Sequence, residues 1–156
     1  MNELFKVFPI ENSPGYMINR MAGDLNALLY REFRSNGFEI TAQQWSVLST
    51  LWETDGIHQN KIAEKTTKNR HNISEMMKLL ERQGFVKRKK DLIDKRLLKV
   101  NLTESGKALQ DKLSPIVKKT MQKAFEGLDQ QDAESLKKIY HKVMTNLGNQ
   151  NVQKTR

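Results

Sequence analysis

The chain has 156 residues, no cysteine, and 27 Lys and Arg against 18 Asp and Glu, a formal charge of +9. Lack of cysteine excludes disulfides, thiolate metal sites and thiol redox switching, while a mean hydropathy of −0.70 and apolar runs only a few residues long exclude a helical membrane span. The length suits one folded domain, or one domain with extensions, and "MNELFKVFPIENSPG" lacks the basic start, long apolar centre and small-residue cleavage site of a secretory signal, so a cytoplasmic location is expected.

No repeat, low-complexity tract or Pro/Gly-rich linker marks a boundary, so one compact unit is expected. After "NSPG", Met17, Met21, Leu25, Leu28, Leu29 and Phe33 recur at spacings of three and four, which predicts an amphipathic helix closed by "SNG". Thr41-Ala42-Gln43-Gln44 is a start signal: the threonine can cap the amide three residues on, and the glutamine can reach back. The helix it opens carries Trp45, Leu48, Leu51 and Trp52 as its buried face and stops at "ETDG". A short third helix, about Gln59 to Lys65, turns Ile62 and Ala63 inward. Beyond the turn "TTKN", a fourth from about Arg70 to Gln83 directs Ile73, Met76, Met77 and Leu80 to the core and leaves Asn69, Arg70, Asn72, Ser74, Glu75 and Lys78 outside. Gly84 suits a left-handed cap at its end.

Two helices joined by a short turn, the second polar and basic on its outer face, describe a helix-turn-helix, although any two adjacent amphipathic helices give that signal. The next segment narrows the reading. "FVKRKK" reads as a short strand, and Leu98, Val100 and Leu102 alternate with Leu97, Lys99 and Asn101 in a second, so "DLID" and its neighbours form a hairpin turn. Thr103 then caps a helix whose positive end suits Glu104. Leu109, Leu113, Ile116, Val117, Met121 and Phe125 line that helix, where Pro115 predicts a kink or slight break. Ala133, Leu136, Ile139, Tyr140, Val143, Met144 and Leu147 line a last one, capped by Asp129. These stripes are broader than a small winged helix covers, so the terminal helices are expected to pack together and against a second copy of the chain; the alternative is a bundle within one chain.

The charge is concentrated. Between Lys61 and Lys99, 13 Lys and Arg stand against 5 Asp and Glu, leaving 14 against 13 elsewhere. The excess therefore falls on the helix and hairpin, the footprint expected of a surface that meets phosphates; a solvated basic face is the plain alternative.

With these elements in this order, the sequence resembles the MarR family of winged-helix regulators over roughly residues 15 to 147. The resemblance is carried by "DLIDKRLLKVNLTESGKAL", similar to the family's wing and following helix, and by "LLERQGFVKR", similar to the end of its recognition helix and first wing strand. "ITAQQWSVLSTL" and "QNKIAEKT" match the preceding helices. The resemblance implies a homodimer in which the N-terminal and two C-terminal helices interlock, here through Met17, Met21, Leu25, Leu113, Val117, Met121, Leu136, Tyr140, Val143 and Leu147. Asp94 and Arg96 match the family's wing-tip Asp-x-Arg, whose arginine enters a minor groove while the aspartate orients it; a simple turn salt bridge is the bland reading. Lys87, Arg88, Lys89, Lys90 and Lys95 complete the expected wing surface.

"KNRHNISEMMK" occupies the recognition position. Arg70 suits a bidentate contact to guanine, Asn69 and Asn72 suit adenine or phosphate, and Ser74 and Lys78 suit the DNA backbone, while His71 reads as a polar surface or phosphate contact and Lys68 belongs to the same expected recognition surface. Glu75 and Leu79 depart from the family's pattern in this helix. His58, His71 and His141 are scattered, with no partner at metal-ligand spacing, and no Gly-rich phosphate loop or nucleophile motif is present, so neither metal, cofactor nor catalysis is expected.

The expectation is a mainly α fold with a small two- to three-stranded antiparallel β wing. Residues 37–103 would form the winged helix-turn-helix lobe, and 1–36 and 104–156 the dimerisation helices. The expected partners are double-stranded DNA, a second copy of the chain, and a small lipophilic or anionic effector of the kind the resemblance implies. The expected function is that of a sequence-specific transcriptional regulator, a homodimeric repressor of a near-palindromic operator released by a small-molecule ligand; the rival is a winged helix that coats DNA without preference or contacts protein.

Overall fold

Side-chain caps mark where several of the helices begin. The computed structural model describes residues 9–66 and 70–148, with the backbone alone at Arg70 and His71. A 3-10 turn, Ile10–Asn12, precedes α1 (Pro14–Ser35), which starts with Ser13 Oγ accepting from Tyr16 N at 3.4 Å and proline in its first turn. At α2 (Ala42–Glu53) the reciprocal cap is present: Gln44 N donates to Thr41 Oγ1 at 3.1 Å and Thr41 N to Gln44 Oε1 at 2.8 Å. Gln44 is buried, and its amide also donates to Gln83 Oε1 at 3.1 Å. Asp129 and Asp132 form a similar box at α6 (Gln130–Asn146).

Between these come β1 (Ile57–His58), α3 (Gln59–Thr66), α4 (Arg70–Arg82), β2 (Val86–Lys90), β3 (Leu98–Leu102) and α5 (Glu104–Ala124). The sheet is antiparallel with order β1-β3-β2, so the second wing strand is its centre. β1 adds a strand to the hairpin read from the sequence. Two residues are too few for alternation to show, and a distant tie holds them: the Asp55 carboxylate accepts from Leu102 N and Gly56 N, each at 2.8 Å.

The core gathers Phe33, Val47, Leu48, Leu51, Ile62, Ile73, Met77, Leu80, Val100 and Leu113, all almost wholly removed from solvent. Each such side chain contributes roughly 1.5–3 kcal/mol relative to exposure. Only Leu29 and Phe33 of the α1 stripe are buried, whereas Met17 and Met21 are exposed. Trp45 and Trp52 are half-buried, and Val47 takes a core place instead. Indole is too large and too polar at its edge to disappear here; Trp52 Nε1 donates to the Gly106 carbonyl at 2.9 Å. α5 runs unbroken through Pro115. The ring removes one helical hydrogen bond, but Leu113 and Thr120, buried on either side, hold the helix against its neighbours.

The chain divides after Thr120 into two compact units. The first holds α1 to α4, the sheet and most of α5. The second holds the last turn of α5 and α6, no residue of which is buried.

Two glycines fix the path into and out of the wing. Gly84, at φ +78°, ends α4 in the left-handed cap expected, with Phe85 N donating to Leu80 O at 3.0 Å. Gly106 lies where α5 passes the start of the wing: a Cβ there would stand 2.0 Å from Phe85 O. Thr103 stitches the same junction, its N donating to Phe85 O at 3.0 Å and its hydroxyl accepting from Gly106 N at 3.0 Å. Gly106→Ala should therefore lower the unfolding free energy by ~1–3 kcal/mol. Urea denaturation at fixed protein concentration tests this, and an unchanged midpoint would refute it.

Candidate nucleic-acid interface

The wing turn is built by two carboxylates. Residues 91–97 close the β2–β3 hairpin, with Asp91 N donating to Leu97 O and Leu97 N to Asp94 O, each at 2.9 Å. Asp91 Oδ1 accepts from Ile93 N at 2.8 Å and Asp94 N at 3.0 Å, while its Oδ2 lies 2.9 Å from His58 Nε2 on β1. The imidazole contact first, and the two amides after it, hold the Asp91 carboxyl down to about 2 from an ordinary 3.8. Asp94, fixed in turn, accepts from Arg96 Nε and Nη2 at 2.9 Å each and from Arg96 N at 3.1 Å. This fork lowers the pKa of Asp94 and raises that of Arg96. The Arg96 side chain is nevertheless 90% exposed, so its charge is oriented by one carboxylate and open to a partner on every other side.

The register sorts the remaining wing cations. Lys89 faces Lys99 directly across the strands, and Lys87 faces Asn101; the three lysines are exposed. Like charges directly opposed are destabilising, and a polyanion lying over the pair would relieve that repulsion. Lys90 and Lys95 are also exposed. Arg88 differs: its Nε and Nη2 donate to Glu81 Oε2 at 3.0 and 2.7 Å, and its N donates to Glu81 Oε1 at 3.1 Å. The Glu81 carboxyl is lowered by that guanidinium. With a side chain only 17% exposed, Arg88 joins β2 to α4.

On α4, Ile73, Met77 and Leu80 are buried while Asn72, Glu75, Lys78 and Leu79 are exposed and Ser74 is half-buried. Lys78 Nζ donates to Glu75 Oε1 at 2.7 Å, so the departing glutamate lies beside a cation of its own helix. Lys68 and Asn69 lie outside the described residues, and Arg70 and His71 supply the first backbone positions of the helix. Sequence reasoning passed over Lys99 as a wing cation and His58 as a support of the turn. The signal for Lys99 was the alternation itself, since Leu98, Val100 and Leu102 place it on the outer face; nothing in the sequence pairs His58 with Asp91, 33 residues away.

Of the residues expected at a dimer contact, Met17, Met21, Leu136, Tyr140, Val143 and Leu147 are exposed. Leu25, Val117 and Met121 are half-buried, and Leu113 is buried within its own chain. Among the described residues, no group of three or more His, Asp and Glu is arranged to hold a metal ion, and no helix is long and apolar enough to cross a membrane.

A family model for MarR proteins matches residues 40–98, the span from α2 to the start of β3. The organic hydroperoxide resistance transcriptional regulator of Bacillus subtilis is 31% identical over 106 residues, an alignment covering 68% of this chain and 69% of that protein. The chain belongs to the MarR family. It is a DNA-binding transcriptional regulator of winged-helix fold. Among solved structures, reduced AbfR bound to DNA superposes with a TM-score of 0.72 at 22% identity, covering 88% of this chain and 94% of that one. The PcaV regulator of Streptomyces coelicolor, in complex with its natural ligand, gives 0.74 at 22% identity, covering 85% and 92%.

Two outcomes follow for the wing of this MarR protein. A carboxylate whose folded pKa is depressed contributes stability above its unfolded value and loses it as pH falls through the folded one. The turn should thus be fully ordered above about pH 4 and lose the Asp91 contribution toward pH 2; an NMR titration placing the Asp91 midpoint at the ordinary 3.8 would contradict this. Glu81→Ala and Arg88→Ala should each cost ~1 kcal/mol of folding stability and leave the salt dependence of DNA binding nearly unchanged. Lys89→Ala or Lys90→Ala should instead weaken binding to all duplexes and reduce the salt slope by about 1. Fluorescence anisotropy across a salt series separates the two groups.

Proposed function

We propose that the chain acts as a homodimeric repressor that covers a near-palindromic operator, reading the major groove with α4 and the adjacent minor groove with Arg96. The observation that carries this reading is the wing-tip pair: an arginine 90% exposed, held by both prongs of its guanidinium on Asp94. A narrow minor groove concentrates negative potential, and a pre-oriented guanidinium enters it with little further ordering. In this reading residues 37–103 form the DNA-binding lobe, while 1–36 and 104–156 supply the dimer contacts. Exposed apolar stripes on α1 (Met17, Ile18, Met21) and on α6 (Leu136, Ile139, Tyr140, Val143) support a second copy as their cover. Two-fold pairing then sets half-sites about one helical turn apart.

Release by an effector is supported by a crevice of about 230 Å³ lined by Asn26 of α1, Gln43, Ser46 and Val47 of α2, Thr66 of α3, and Asn72 and Met76 of α4. It suits a single-ring compound, being smaller than the ~300–1,000 Å³ usual for drug-sized ligands. A ligand there touches both a helix assigned to the dimer and the recognition helix, so it can favour one spacing of the two lobes. Preference of a few kcal/mol for the non-binding spacing is enough to free DNA.

Affinity selection of genomic fragments at ~150 mM salt tests the reading, since lower salt lets the phosphate contribution hide specificity. Recovery of fragments sharing an inverted repeat, bound by a dimer in light scattering, is expected; uniform recovery would establish the coating alternative and overturn the operator claim. Arg96→Ala should weaken the selected duplex about tenfold or more while the protein stays folded and dimeric. Single-ring aromatic carboxylates titrated into that complex should lower its affinity, and no effect across a wide panel would remove the release step.

A further inference from the structure

Leu92 and Ile93 stand at the crest of the wing, 95% and 98% exposed. Scattered surface leucines are ordinary, but these two are adjacent, and the turn that bears them is ordered. The Ile93 and Asp94 amides are both tied to the Asp91 carboxylate, and Asp91 N and Leu97 O close the loop beneath them. The surroundings name the partner. Exposed Lys89, Lys90, Lys95 and Arg96 flank the pair, so whatever receives two apolar side chains must present dense negative charge around an apolar interior. Stacked bases bordered by phosphates have that character, and apolar side chains pressed between base steps from the minor groove unstack them and bend the duplex toward the major groove.

We propose that Leu92 and Ile93 form an apolar wedge that enters the minor groove beside Arg96, partly unstacks one base step under each wing and bends the operator. Arginine supplies attraction to the groove, and the wedge supplies the deformation. Pyrimidine–purine steps, TA and CA/TG, unstack most easily, so the wedge makes the regulator select such a step at a position where no hydrogen bond reads a base. This inference rests on the operator reading above and adds to it a source of specificity.

The test uses the duplex that the full-length protein enriches from a random-sequence pool. Wild type is compared with the Leu92→Ser/Ile93→Ser double variant and the conservative Leu92→Met/Ile93→Val variant, by DNA bending in a fluorescence energy-transfer assay and by 2-aminopurine emission at the step beneath the wing. Wild type and the conservative variant should bend the duplex and brighten the probe. The double serine variant, matching wild type in circular dichroism and oligomeric state, should lose most of the bend and the brightening, bind about tenfold or more weakly, and no longer distinguish TA from GC at that step. Equal bending and affinity in all three proteins would overturn the wedge while leaving the operator reading intact. Failure of wild type to enrich any sequence would overturn both. Association of wild type through the tip, abolished by the serines with DNA bending unchanged, would assign the pair to contact between copies instead.

Discussion

The Asp91 carboxylate is the constraint on which the wing depends. One side chain receives the His58 ring from β1 and two amides of the turn, converting seven residues between strands into a fixed loop. Asp94 inherits its position from those bonds, and Arg96 inherits its orientation from Asp94. A flexible loop with the same charges would order on binding and lose affinity in doing so. Here much of that ordering is already present in the fold.

The electrostatics and the packing point the same way. Lys89 opposite Lys99 is a poor pairing for an isolated hairpin and a sensible one under a polyanion. The sheet tolerates it because its other face is anchored by Val86, Val100 and Leu102, all buried. Glu81 and Arg88 then join the strand that carries the lysines to α4, and Thr103, just after β3, ties to the α4–β2 junction by donating from its N to Phe85 O and from its hydroxyl to Gly84 O. Wing and helix are therefore coupled parts of one unit, as the proposed reading of neighbouring grooves requires.

Most of this architecture was legible in the sequence because its signals are local. Thr41 and Gln44 announce a cap by type and spacing alone, Gly84 announces a left-handed terminus, and the alternation through Leu98, Val100 and Leu102 fixes which face of the strand is wet. Signals that depend on distant partners were not legible. Arg88 reads as one more wing cation until Glu81 is seen beneath it, and β1 is too short to have a period. Trp45 and Trp52 score as core by hydrophobicity, but size and a polar edge leave them half-buried. Pro115 reads as a break because the rule is local, whereas packing on both sides of it decides the outcome. The apolar character of Leu92 and Ile93 is plain in the sequence, yet only the hairpin shows that they crown it.

A double-mutant cycle on operator affinity tests the central claim most directly, using Asp94→Asn, Arg96→Ala and both together. If the aspartate acts by presenting the arginine, Asp94→Asn weakens binding several-fold when Arg96 is present and has almost no effect when it is absent, a large coupling between neighbours. Additive losses would contradict the account, because Asp94 and Arg96 would then reach DNA by independent routes.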